Sequence, residues 1–405
     1  MQKIILNVLQ KLSDNCPQTP FGVEFWDGTA KKLGQGSEKF RIVFKSESAI
    51  KHILSSGSLG FGQEYMVGNI VVEGNLQALV ALYDQWQKVA RGLSLATKAR
   101  ILWNRVSSRG TIVGSKKNIR RHYDIGNDFY SLWLDPTMTY SCAYFKSEND
   151  GLETAQNNKY EHICRKLQLK AGESLVDIGC GWGGMMFYAA KNYGVKCVGY
   201  TLSKNQYDYV NEKIKKENWS DSIKICLDDY RKAIGVFDKF VSIGMFEHVG
   251  KRYQKNFFET VKKILKPKGI GLLHTIGSLA DSPADPWFTK YIFPGGYIPP
   301  LAMVVDNMNK ASLAFYDVED LRPHYARTLD FWIKNFENNT AAVKKTLTAK
   351  LRDQNQADQF IRMWRLYLNA SSMSFKTGAN RLYQILFSNG INDNLPLTLD
   401  YIYRD

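Results

Sequence analysis

The sequence predicts an α/β chain in which a parallel sheet flanked by helices follows a smaller mixed α+β domain. Three observations predict it. From Ser174 onward, short apolar strands alternate with helical segments. The first of these strands runs into a glycine turn that opens a helix, Val176-Asp177-Ile178-Gly179-Cys180-Gly181-Trp182-Gly183-Gly184. The first hundred residues have a different pattern and are joined to the rest by a basic connector. The expected boundaries are an N-terminal domain at 1–100, a basic linker at 101–121 and the main domain at 122–405, with an insertion around 278–370.

In the N-terminal part, FRIVFKS alternates as a strand does, and SAIKHILSSG reads as a short helix ended by its glycine. QALVALYDQW continues as an apolar-rich helix. In the main domain SLVDIG is a strand, MMFYAAKNYG a helix and VKCVGYT the next strand. SKNQYDYVNEKIKKENW is a helix capped by Ser203. IKICLDD, FDKFVSIGMF and GIGLLHTIG are further strands, and YQKNFFETVKKILKPKG is the helix between the last two, closed by Pro267 and Gly269. After Gly277 the pattern gives way to DPWFTKYIFPGGYIPP, rich in Pro, Gly and aromatics. Helices follow, and RLYQILFS reads as a returning strand.

At 405 residues and 44% apolar content the chain can bury a substantial core. No apolar run reaches the length of a spanning helix, and MQKIILNVLQKL lacks the features of a signal peptide, so a cytoplasmic location is expected. The six cysteines include no C-x-x-C pair, which suits reduced thiols, and no H-E-x-x-H or close His pair suggests a transition metal. Net charge is +15, and ten basic residues with no acidic one lie between Lys88 and Arg121. Such a run is a solvated linker, or a surface for anionic lipid or nucleic acid.

The glycine turn lets backbone approach a nucleoside-bearing ligand, with the helix N-terminus beside it. Asp177, two residues before Gly179, suits an amino-acid ammonium better than a pyrophosphate. A dinucleotide site would carry an acid at the end of the next strand, where this chain has Tyr200-Thr201-Leu202-Ser203. Glu247, after the fourth strand, and His274, late in the fifth, both fall near carboxyl ends of parallel strands, where open α/β sheets bind ligands. Taken singly, His274 is a core histidine and Glu247 a helix-starting acid; taken with the glycine turn, they mark a pocket. The segments His122-Tyr123-Asp124-Ile125-Gly126-Asn127-Asp128-Phe129-Tyr130 and Thr139-Tyr140-Ser141-Cys142-Ala143-Tyr144-Phe145 read, by spacing alone, as a turn with aromatic packing.

HYDIGNDFY, TYSCAYF, VDIGCGWGG, GYTLSKNQ, MFEHVG, LLHTIG and HYARTLDFW occur in this order from His122 to Trp332. Together they resemble the cyclopropane-fatty-acyl-phospholipid synthase family, relatives of the mycolic acid cyclopropane synthases. The hundred-residue N-terminal extension resembles the phospholipid-modifying bacterial branch in length and character. The resemblance implies a class I S-adenosylmethionine-dependent methyltransferase (Rossmann-like) fold. It also implies that Tyr140, Ser141, Gly179, Gly181, Thr201, Leu202 and Gln206 contact S-adenosylmethionine, with Asp229 and Tyr230 flanking the adenine. Gln206 stands in for the missing ribose acid. Cys142, Glu247, His274, the backbone of Ile276 and Tyr325 are implied to surround a bound bicarbonate.

The expected activity is methylene transfer to the cis double bond of an unsaturated phospholipid, through a carbocation deprotonated by that bicarbonate. A site of this kind stabilises positive charge with aromatic faces, which the stretch after Gly277 offers. The basic run then becomes a docking surface for an anionic membrane, which implies peripheral association with the inner face. Members of the family are often dimers, so a homodimer is among the implied partners; nucleic acid is not. The competing readings are a fatty-acyl methyltransferase giving methyl- or methylene-branched chains, a small-molecule methyltransferase on the same scaffold, a nucleic-acid methyltransferase supported by the basic run alone, and a non-catalytic lipid carrier.

Overall fold

A computed structural model describes residues 1–82 and 125–403. The basic run from Lys88 to Arg121, His122 to Asp124, and the last four residues of QALVALYDQW lie outside the described residues. The chain divides into two compact units.

The first unit is built around a four-stranded sheet of β1 (Phe21–Glu24), β2 (Ala30–Leu33), β3 (Phe40–Phe44) and β4 (Ile70–Gly74), in the order β2-β1-β3-β4. The β1/β3 pair is parallel, its neighbours antiparallel. The register pairs Phe21 with Phe40, and their rings stack at 5.1 Å between centroids. The helix Gln2–Asn15 covers this core with Ile5, Leu9 and Leu12, spaced to share one helical face. The expected strand FRIVF and the helix Glu47–Ser56 form as read. Ser46 Oγ accepts the Ala49 N–H at the start of that helix, and Gly57 at φ 58° ends it.

This unit also contains residues 283–294 and 332–377. The expected insertion at 278–370 is therefore not one piece of the main domain; it divides between the two units, and most of it packs with the N-terminal region. The contacts show why. A Cβ on Gly62 of the helix Ser58–Val67 would collide with the Trp287 ring. Gln63 Nε2 donates to Tyr291 Oη at 2.7 Å, and Arg362 Nε, on the helix Gln354–Lys376, donates to Met66 O at 2.6 Å.

The second unit holds a seven-stranded sheet: β5 (Ser174–Ile178), β6 (Lys196–Thr201), β7 (Ile223–Leu227), β8 (Phe237–Ile243), β9 (Leu265–Ser278), β10 (Leu313–Asp320) and β11 (Asn380–Asn389). The order is β10-β11-β9-β8-β5-β6-β7. Strands β5 to β9 run parallel, β11 returns antiparallel to β9 as RLYQILFS predicted, and β10, antiparallel to β11, runs in the direction of β5 to β9. The chain winds outward from β5 through β6 and β7, then restarts at β8 beside β5. The direction of winding reverses between β5 and β8, and the crevice at their carboxyl ends is where such sheets take ligands.

One expected boundary shifts. The helix between β8 and β9 is Gln254–Ile264 and ends before Pro267. Leu265 already has extended backbone and pairs with Phe237, so Pro267 and Gly269 belong to a strand. The register between β8 and β9 shifts between Phe237 and Lys239, which accommodates a proline that has no N–H to give the ladder.

Candidate active site

The glycine turn leaves β5 with Gly179 at φ 84°, Gly181 at φ 56° and Gly183 at φ 82°, all in the left-handed region that favours glycine. At Gly179 crowding adds to this, because a Cβ there would sit 2.5 Å from Met245 Cγ. At the end of β6, Ser203 caps the helix Lys204–Lys216 by accepting the Gln206 N–H. Thr201 Oγ1 donates to Gln206 Oε1 at 2.7 Å, which leaves the amide nitrogen as the donor group of Gln206. After β7, Asp229 accepts from Arg231 at 2.7 Å through both Nε and NH2 and also takes the Arg231 N–H, fixing the turn that carries Tyr230.

Tyr140, Ser141, Asp177, Gly179, Gly181, Thr201, Leu202, Gln206, Asp229 and Tyr230 all line one pocket at these strand ends. Asp177 is buried, and its Oδ1 has no hydrogen-bond partner among the described residues. Burial pushes its carboxyl up to about 7.

The TYSCAYF segment forms a strap that is more than aromatic packing. The Tyr140 ring lies 5.7 Å from Tyr130 and 5.6 Å from Trp133, and Tyr130 lies 5.1 Å from Trp182 in the glycine turn. Trp182 Nε1 donates to Asn127 Oδ1 at 2.8 Å, tying the described part of HYDIGNDFY to the same turn. On one side the strap is held by the helix Leu152–Leu167. Gln156 Nε2 donates to Ser141 O at 3.0 Å, Lys159 Nζ to Ser141 Oγ at 2.9 Å, and the Tyr144 N–H to Ala155 O at 2.9 Å. On the other it meets residues 322–331 of the helix Arg322–Asn338. Thr328 Oγ1 accepts the Ala143 N–H and His324 Nδ1 accepts the Phe145 N–H, each at 3.0 Å.

The second expected cluster lies at the ends of β8 and β9. The Gly244 N–H donates to His274 O, after which β8 has ended and the Glu247 carboxylate takes over. Its Oε1 accepts the Ile276 N–H at 2.5 Å. Glu247 Oε2 is buried with no partner among the described residues, and burial raises its carboxyl above the usual range. His274 sits opposite Gln384 of β11, whose Nε2 lies 3.2 Å from Nδ1. With Gln384 donating, the ring proton belongs on Nε2, which is also buried and unpartnered among the described residues. Burial holds His274 far below the ordinary histidine value, so the ring is neutral.

Cys142 is 1% exposed, and burial drives its thiol up, so it is a neutral donor whose Sγ lies 3.2 Å from Ala143 O and 4.0 Å from Leu321 O. The Tyr325 N–H donates to that same Leu321 carbonyl, which places Cys142 beside the first turn of the helix bearing Tyr325. The Ile276 N–H differs from the expected arrangement: it is occupied by Glu247 rather than open to an anion.

Sequence reading missed Gln156 and Lys159, which hold the strap. With Ile163 and Lys166 of the same helix they recur at spacings of three and four, and all four are fully buried. That periodicity is the one available signal, and it is masked because polar types on a helix read as its solvent face.

This fold and pocket define an S-adenosylmethionine-dependent transferase. The model of the family described as Mycolic acid cyclopropane synthetase matches residues 113–385, and a Domain of unknown function (DUF7884) matches residues 8–91. The chain belongs to the mycolic acid cyclopropane synthetase family. It is 37% identical over 368 residues to the cyclopropane-fatty-acyl-phospholipid synthase of Escherichia coli K12, covering 89% of this chain and 91% of that one. It is 34% identical over 397 residues to a "Probable fatty acid methyltransferase" of Pseudomonas putida, covering 95% and 96%. Among solved structures, the cyclopropane synthase MmaA2 from Mycobacterium tuberculosis is similar with a TM-score of 0.62 and 34% identity, covering 67% of this chain and 98% of that one.

Proposed function

We propose that this chain is a cyclopropane-fatty-acyl-phospholipid synthase, adding a methylene group from S-adenosylmethionine across the cis double bond of an unsaturated phospholipid acyl chain. The observation that carries the reading is the strap. Ser141 faces the pocket lined by the ten expected cofactor residues, and the next residue, Cys142, packs beside the helix that carries Tyr325.

The pocket residues fit the donor. Asp177 offers an unpartnered buried carboxylate oxygen to an ammonium, Gln206 an amide donor to a ribose hydroxyl, and Tyr230 an aromatic face to a base. S-adenosylmethionine supplies, when bound, an electrophilic methyl on a sulfonium. The Glu247 and His274 pair fits a small oxyanion carrying its own proton, because Glu247 Oε2 is an acceptor and His274 Nε2 a donor, both buried without partners among the described residues. Bicarbonate, when bound, supplies a monoanionic base.

The chain's own residues do the rest. Glu247 accepts a hydroxyl proton and so orients the base; neutral His274, the Cys142 thiol and Tyr325 donate to its oxygens. With the Ile276 N–H spent on Glu247 Oε1, Ile276 acts by fixing Glu247 rather than by direct grip. The described residues contain no helix long and apolar enough to cross a membrane. The basic run from Lys88 to Arg121, with the N-terminal domain, is the proposed docking surface for the anionic inner face of the membrane.

Expression in cells that lack cyclopropane lipids, followed by mass spectrometry of their fatty acids, tests the reading. Chains heavier by CH2 with the alkene consumed support it, and an unaltered profile sinks it. A second reading, transfer to give methyl- or methylene-branched chains, is favoured by the Pseudomonas putida relative; a methylene branch would appear as the same CH2 gain with an alkene retained, and a reduced methyl branch as CH2 plus two further hydrogens.

A further inference from the structure

Lys159 belongs to neither of the residue sets expected from the sequence, and its tie to the strap does not account for its position. It is fully buried on the helix Leu152–Leu167 and lines the same pocket as Asp177. Its ammonium has three protons to donate, and the hydrogen bond it makes goes to neutral Ser141 Oγ at 2.9 Å. The Tyr160 ring lies 4.4 Å from Nζ. No described carboxylate comes within the 4.0 Å of an ion pair. Asp135 and Asp177 attract this ammonium from beyond ion-pair distance, which offsets its desolvation only in part, and burial still dominates.

Asp177 is its mirror image, a buried carboxylate with one oxygen unpartnered among the described residues. The two line one pocket and attract each other across it without an ion-pair contact. A ligand group that satisfies both must bring a cation to Asp177 and an anion to Lys159. The α-ammonium and α-carboxylate of an amino acid have that arrangement. We propose that Lys159 is the counter-ion for the carboxylate of the donor's amino-acid half, and that with Asp177 it selects a zwitterionic ligand end.

The proposal rests on the pocket being the S-adenosylmethionine site, and the test separates the two. S-adenosylhomocysteine and its decarboxylated counterpart, which keeps the amine, are titrated calorimetrically into the full-length protein. Wild type is expected to bind the carboxylate form more tightly by about 10- to 100-fold, the range for a hydrogen bond to a charged group. Lys159→Met is expected to lose that preference while binding the decarboxylated compound as wild type does. Equal weakening of both ligands in Lys159→Met overturns the proposal, since that marks a role in holding the strap alone. Equal affinity of wild type for the two compounds overturns it without any variant, so a Lys159→Met chain that fails to fold leaves the test standing. Lys159→Gln, which retains a donor for Ser141, serves beside it. Wild type that binds neither compound sinks the donor-pocket reading itself, and this proposal with it.

Discussion

Asp177 and Lys159 set opposite pH dependences on stability. Burial raises Asp177 from 3.8 to about 7, so between those values the folded chain holds a proton that the unfolded chain has released. Its contribution is therefore fully present below pH 3.8 and lost as pH rises toward 7. Burial lowers Lys159 from 10.5 to about 7, so between 7 and 10.5 the folded chain lacks a proton that the unfolded chain holds. That contribution is present above 10.5 and lost as pH falls toward 7. The pair should place a dip in ligand-free stability near pH 7. Denaturant titrations from pH 4 to 10 are expected to show Asp177→Asn flattening the acid limb and Lys159→Met the alkaline one. Glu247 is tested by function: Glu247→Gln should lower methylene transfer by about 10²- to 10⁴-fold, the scale of lost acid–base assistance. Affinity for S-adenosylhomocysteine should stay unchanged. Of these residues, Asp177, Glu247 and His274 were legible in the sequence because each lies late in an apolar strand or just after one. Lys159 was not, since its burial depends on a strap that arrives from outside the sheet.

At the scale of elements, the strap from Tyr140 to Phe145 depends on backbone N–H groups that no strand partner satisfies. Thr328 is fully buried, accepts the Ala143 N–H and passes its own proton to His324 O at 2.7 Å. Thr328→Val keeps the shape and removes the acceptor, so it should cost about 1–3 kcal/mol for the orphaned donor. The change should appear as a lower denaturation midpoint with faster hydrogen exchange at the Ala143 amide. Six of the seven strands of the sheet were readable, because β5 to β9 and β11 are apolar runs bounded by glycine, proline or helix caps; β10 was not, since Leu313–Asp320 carries three acidic residues and lies in a stretch read as helical. The boundary that moved did so for a tertiary reason: β9 starts at Leu265 because β8 offers it a partner at Phe237, a pairing that local propensity does not contain.

Over the whole molecule, the sequence separated two compositions but not the way the chain returns. Residues 283–294 and 332–377 complete the first unit through Trp287, Tyr291 and Arg362, whose partners at Gly62, Gln63 and Met66 lie more than two hundred positions earlier. Nothing in a local pattern reports contacts at that separation. The charge asymmetry was legible, and its proposed role is a property of the full chain. Reversing charges between Lys88 and Arg121 should weaken sedimentation with anionic vesicles and flatten its salt dependence while leaving S-adenosylhomocysteine affinity intact. Vesicle binding that is unchanged and indifferent to salt would remove the docking role.

The strap has a consequence for how such a chain can change over generations. Ser141 is held by the helix Leu152–Leu167 and Cys142 lies against the start of the helix Arg322–Asn338, so adjacent residues answer to different parts of the fold. If the proposed roles hold, mutations accumulating around Leu321 and Tyr325 would alter how a reaction ends without disturbing how the donor is held. On that proposal, a lineage built on this scaffold would be free to diversify its products while inheriting one donor site unaltered.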